Sequence, residues 1–140
     1  MKIAINADTR KVLSWTGETI EALAMTRRDA FPVEVKFIQG AKYVELPVGA
    51  VGVLALKSRG VWGDVVRADG GSWVKAGEGR DAVYTFFLAL DTVALGALFS
   101  GEPNNVELAM EISWSYTLGT LAVRETAVAV DVNVANDYIR

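Results

Sequence analysis

A β-sandwich with one short helix is the fold expected of this chain. Apolar and polar residues alternate with a period of two along most of its length, the repeat of strands with one buried face. Turn-forming glycines and Asp or Asn residues recur between these runs, at the spacing of an all-β sandwich or barrel. A single segment departs from the pattern, and no Pro/Ser-rich linker or internal repeat divides the chain. Residues 1–140 are therefore read as one β-sandwich domain.

Lys2 to Asn6 and Lys11 to Trp15 are strand-like and joined by the turn-like ADTR, and Leu23 to Thr26 follows. In the stretch RRDAFPVEVKFIQG, Phe31, Val33, Val35 and Phe37 share one face, while Pro32, Glu34 and Lys36 share the other. The first set is core, each side chain contributing roughly 1.5–3 kcal/mol on burial. Pro32 lacks an N–H and belongs at a strand start or an edge. Further strands are expected at Lys42 to Leu46, Ala50 to Ser58, Asp64 to Arg67, Trp73 to Lys75 and Ala82 to Leu90.

The stretch VYTFFLAL is apolar on both faces, with Val83, Phe87 and Ala89 on one and Tyr84, Phe86, Leu88 and Leu90 on the other. A sandwich strand needs only one such face, so the second is expected to be covered by the short helix or by another subunit. That helix is predicted near residues 92–100, where Asp91 or Thr92 can cap it and Gly101 and Pro103 end it. The longest alternation, NVELAMEISWSYT, places Val106, Leu108, Met110, Ile112, Trp114 and Tyr116 on one face and pins the register. After a turn at Leu118 and Gly119 the apolar parity switches, from Leu121 and Val123 to Val128, Val130, Val132 and Val134. The switch predicts a bulge or break between Arg124 and Ala127. The complete expectation is an all-β, immunoglobulin-like antiparallel β-sandwich.

Composition narrows the function. Hydrophobic residues make up 51% of the 140 and charged ones 22%, enough for a large core and some apolar surface left for a partner. The net charge is −3 and the basic residues are scattered, so nucleic acid is not an expected partner. With no Cys and no His, disulfides, thiolate chemistry, Ser/His/Asp triads and histidine metal sites are absent. The apolar patch in MKIAINAD is too short for a signal peptide, and no apolar run reaches the length that spans a bilayer. A chain made in the cytoplasm, with no membrane segment and no cofactor, is expected.

Candidate chemistry is sparse. Asp64 and Asp69, with Glu78 and Asp81, could in principle form a glycosidase pair or a calcium site. Their spacing matches no calcium loop, and acidic residues beside glycines are ordinary turn formers. The glycines of GAVGV and GEGR lack the Lys-Ser/Thr and strand-to-helix context of a phosphate loop. Trp62 and Trp73 bracket a glycine-rich region with Asp64 and Arg67 nearby. This group could stack and bond a sugar in a small carbohydrate-binding module, or the two rings could cap the core. Arg27, Arg28 and Asp29 could hold a carboxylate of a partner, although charges before a buried strand ordinarily keep the turn in water.

The order of segments, with RRDAFPVEVKFIQG, KYVELPVGAVGVLALKSRG, YTFFLALDT and VAVDVNVAND in succession, resembles phage and prophage tail proteins. The likeness is to the N-terminal β-sandwich of siphophage upper baseplate proteins. Asp29, Phe31, Val33, Val35 and Phe37 match its first element, and Glu45, Leu46, Pro47, Gly49 and Ala50 its second. The resemblance implies a noncatalytic structural or assembly protein, incorporated into a virion and acting through contacts with itself or with other virion proteins. It supplies no catalytic residues. Ending at NDYIR without a fibrous extension, the chain is expected to be a small connector or accessory protein. Tyr84, Phe86 and Leu88, with the small residues Ala127 and Ala129, are the interface expected from the sequence.

Overall fold

The computed structural model describes residues 1–27, 31–58, 64–101, 104–127 and 130–136. Its strands are β1 (Lys2–Asn6), β2 (Val12–Leu13), β3 (Ala22–Thr26), β4 (Phe31–Gln39), β5 (Lys42–Val44), β6 (Val51–Ser58), β7 (Val65–Ser72), β8 (Val74–Ala76), β9 (Val83–Leu88), β10 (Asn105–Leu118), β11 (Leu121–Thr126) and β12 (Val130–Ala135). One sheet runs β2-β1-β4-β9-β8, with β5 also paired to β4; the other runs β3-β12-β10-β6-β7, with β11 also paired to β10. The expected all-β sandwich is what the chain forms.

The two longest alternating segments organise the sheets. β4 gives one edge to β1 and divides the other between β9, at Phe31 to Val35, and β5, at Phe37 to Gln39. β10 likewise lies along β6 on one side and divides the other between β12 and β11. The parity switch read from the sequence is this division. β11 and β12 are separate strands, and the Ala127 N–H between them donates to the Ile112 carbonyl at 2.8 Å.

Two pairs depart from the antiparallel expectation: β1 with β4, and β3 with β12, are parallel. After β2 the chain crosses to lay β3 in the opposite sheet, then returns as β4 running the same way as β1. A parallel pair needs such a crossover in place of a hairpin. Here the connection is itself a strand of the facing sheet.

The core lies between the inner faces. Ile3, Ile5, Val33, Val35, Phe37, Tyr84, Phe86 and Leu88 come from the first sheet, and Leu54, Leu56, Leu108, Met110, Ile112, Trp114, Val132 and Val134 from the second; all are buried. The predicted helical segment is one short turn of helix, α1 (Val93–Gly96), continued by a tighter 3-10 turn over Ala97–Phe99. Thr92 caps it, its Oγ1 accepting from the Leu95 N–H at 3.1 Å, and Leu95 and Phe99 close one end of the core.

Trp73 is the single residue between β7 of one sheet and β8 of the other. Its ring lies 4.6 Å from Tyr84, 5.6 Å from Phe86 and 5.8 Å from Phe37, measured between centroids. Gly52 makes room for it, since a Cβ there would stand 2.2 Å from Trp73 Cζ3. Gly52→Ala should therefore force the ring or the strand to move, at a cost of about 1–3 kcal/mol. The expected result is a lower urea midpoint with an altered tryptophan emission spectrum; an unchanged midpoint would mean the ring has other room.

Candidate interaction surface

Most of the residues singled out from sequence serve the fold. Tyr84, Phe86 and Leu88 are on the inner face of β9 and Ala127 is also buried, so the expected interface is corrected: these side chains are already enclosed by the opposite sheet. The exposed face of β9 is the other one, where Phe87 is 54% exposed and the short helix does not cover it. Ala129, Trp62, Arg28 and Asp29 lie outside the described residues.

Arg27 and Arg67 are corrected too. The Arg27 Nε donates to the Leu90 carbonyl at 3.0 Å, and its guanidinium sits 5.2 Å from the Phe99 ring centroid. Arg67 donates to Ser58 Oγ at 2.9 Å and to the Ala94 carbonyl at 3.2 Å, while its own carbonyl accepts from Thr92 Oγ1 at 2.6 Å. Arg67 thus serves a carbonyl of the helical turn, while Arg27 bonds the Leu90 carbonyl just ahead of it and lies against Phe99. Trp73 is half-buried as a core cap and Asp64 is exposed. The sugar-binding group is thus not assembled among the described residues. Asp69 Oδ1 accepts from the Gly71 N–H at 3.1 Å, the turn-forming role expected of an Asp before glycines.

One group of exposed apolar residues stands at an end of the sandwich, while Val53, Val65, Val66, Val74, Phe87 and Val93 are exposed as well. In the turn Pro47 to Ala50, the Ala50 N–H donates to the Pro47 carbonyl at 3.1 Å and Gly49 takes φ +85°, a value that favours glycine. Val48, at the turn's corner, is 99% exposed. Beside it stands the β10–β11 hairpin, where Leu118 pairs with Leu121 and both are exposed, as is Val51 at the start of β6. Two clefts of about 300 and 360 Å³ separate this turn from the hairpin, the first lined by Glu45, Pro47, Trp114, Tyr116 and Glu125, the second by Gly49, Val51, Ala122 and Arg124.

The base of this end is fixed by polar contacts that the sequence did not disclose. Tyr84, buried, accepts the Leu46 N–H at its hydroxyl, 2.9 Å away. Glu45 forms an ion pair with Lys75 and also accepts the Gly79 N–H at 3.1 Å. The bond from Lys75, then that from Gly79, holds the Glu45 carboxyl below its ordinary value, and the bond to Glu45 raises Lys75. Burial raises the Tyr84 hydroxyl. On the outer face of the first sheet, Trp15 lies under Lys2 and Lys36, at 4.9 and 4.5 Å, and donates to the Ile3 carbonyl at 2.7 Å. Strand pairing brings these residues together across long separations, so local patterns do not reveal them.

Among the described residues no group of three or more acidic residues is placed to hold a metal ion. No helix among them is long and apolar enough to cross a membrane, which leaves β-barrels unaddressed.

No family model matches this chain, and no curated protein matches it. Its architecture is nevertheless one that a phage protein domain also adopts. That solved structure is the N-terminal domain of phage TP901-1 ORF48, similar with a TM-score of 0.52 and 8% identity over 96% of this chain and 97% of that one. The likeness establishes the fold.

The ion pair at the apolar end makes a pH prediction. A depressed carboxyl pKa contributes stability above the ordinary Glu value and loses it as pH falls through the folded value. The raised Lys75 contributes below the ordinary Lys value and loses it as pH rises through its folded value. Between these limits the Gly79 amide should be protected from hydrogen exchange. Protection should fall as pH drops below the ordinary Glu range, and Glu45→Gln should remove that acid dependence. An equal acid response in both proteins would exclude this role for Glu45.

Proposed function

We propose that this chain is a noncatalytic structural or assembly component of a phage or prophage particle, acting through protein–protein contacts made at the apolar end of its sandwich. The observation that carries the reading is the fold match, which extends over nearly the whole of this chain and of a phage domain. The order of segments in the sequence resembles the same kind of domain. Val48, Val51, Leu118 and Leu121, exposed together at one end, supply a surface that uncharged contacts can cover. The partners in this reading are other virion proteins or further copies of the chain, and its final location is the virion.

Particles purified by density gradient from the source of this sequence should carry the chain, detected with a specific antibody. Val48→Asp combined with Leu121→Asp changes only exposed side chains and should leave thermal stability within about 0.5 kcal/mol. The same double substitution should lower incorporation severalfold. Particles without the chain would overturn the reading. Full incorporation of the folded double variant would move the contact surface elsewhere.

A further inference from the structure

The sheets end in strands whose free edges are defended to different degrees. β2, β5 and β8 are two or three residues long, and β5 and β8 also carry Lys42 and Lys75. β7 has register shifts against β6 and bears Arg67 and Asp69, and β11 bears Arg124 and Glu125. Short length, charge and irregularity are the devices by which an edge avoids pairing with another chain. β3 has none of them. Its five residues, Ala22-Leu23-Ala24-Met25-Thr26, are uncharged, contain no proline, and pair with β12 in unbroken parallel register. Among the described residues no strand lies on its other side.

The free edge has a definite hydrogen-bonding pattern. The Arg27 N–H donates to the Ala135 carbonyl at 2.9 Å. Strand geometry then turns the backbone groups of Leu23 and Met25 toward β12 and those of Ala22, Ala24 and Thr26 outward. We infer that this edge is a site of strand addition by a second copy of the same chain, β3 pairing antiparallel with β3 about a twofold axis at Ala24. In that register Ala24 faces Ala24 and each Ala22 faces a Thr26. All three outward-facing residues then form hydrogen-bonded pairs, about six bonds in total. Leu23 falls opposite Met25, apolar against apolar. A register shifted by one pair leaves outward groups unmatched.

The inference adds to the proposed contact-making role a second surface, apart from the apolar end, and one partner, and it rests on that role only for the expectation of self-association. A strand pair this short is small beside the roughly 1,200 Å² or more of a stable interface, so the dimer forms in a concentration-dependent way.

The absence of cysteine from the chain makes the test direct. Hydrogen-bonded antiparallel partners have Cα atoms about 5.5 Å apart, within disulfide range. Under mild oxidation Ala24→Cys should give a covalent dimer of twice the 15.1 kDa protomer mass, while Ala22→Cys alone should not. Ala22→Cys combined with Thr26→Cys should restore the cross-link. Ala24→Pro removes an outward N–H and no bond to β12, so it should weaken dimerisation of the unmodified chain by about tenfold or more. If the proline variant fails to fold, the cysteine series still decides. Dimers by sedimentation with no Ala24→Cys cross-link would overturn this edge while leaving the structural role intact. A protein monomeric at its highest soluble concentration, with no cross-link, would overturn the inference altogether, and particle incorporation would then be judged by its own assay.

Discussion

The sandwich depends on how its two sheets are joined at Trp73. The chain passes from one sheet to the other across this one residue, and the ring that marks the crossing sits against Phe37, Tyr84 and Phe86. Phe37 in turn meets Trp114 of the facing sheet edge-on, with centroids 5.1 Å apart. Edge-to-face aromatic contacts favour definite angles, so the cluster sets the orientation of one sheet over the other as well as filling the space between them. Tyr84 links the same cluster, through its bond with the buried Leu46, to the segment that leads into the Pro47 turn. The apolar end of the molecule is thereby built directly on the core.

Two arginines secure the opposite corner. A helical segment as short as Val93 to Phe99 has little intrinsic stability, and it holds its place by burying Leu95 and Phe99, by the Arg27 guanidinium against Phe99 and by the bond from Arg67 to the Ala94 carbonyl. Both arginines were among the residues weighed for a ligand or partner when read as sequence. A guanidinium beside a strand can solvate an edge, bind an anion or serve backbone carbonyls, and only the three-dimensional neighbourhood distinguishes these uses.

What the sequence disclosed follows from period. β4 and β10 alternate without interruption, and their inward sets, Val33, Val35 and Phe37 with Leu108, Met110, Ile112 and Trp114, are buried as expected. The parity switch after Val123 located the division between β11 and β12, and Thr92 was recognisable as a helix cap. Pairing partners were not legible, because alternation states which face is buried and not which strand lies alongside. The parallel pairs β1–β4 and β3–β12 were therefore missed. On β9 both faces are apolar, so the pattern could not tell that Tyr84, Phe86 and Leu88 point inward while Phe87 points out. The exposed cluster of Val48, Val51, Leu118 and Leu121 is drawn from two stretches far apart in sequence, 48–51 and 118–121, and only folding brings them together.

The pairing of β3 with β12 also bears on how the molecule reaches its native state. Ala22 lies beside Asp131, and Thr26 beside Ala135, so β3 finds its place only when a strand about a hundred residues further along arrives. Contacts of such large sequence separation must meet a high loop-closure entropy before they are rewarded, and topologies dominated by them fold on millisecond-to-second timescales. Until then β3 is open on both sides. A chain that has made β3 but not β12 carries an uncharged strand with neither edge paired, the condition in which edges mispair.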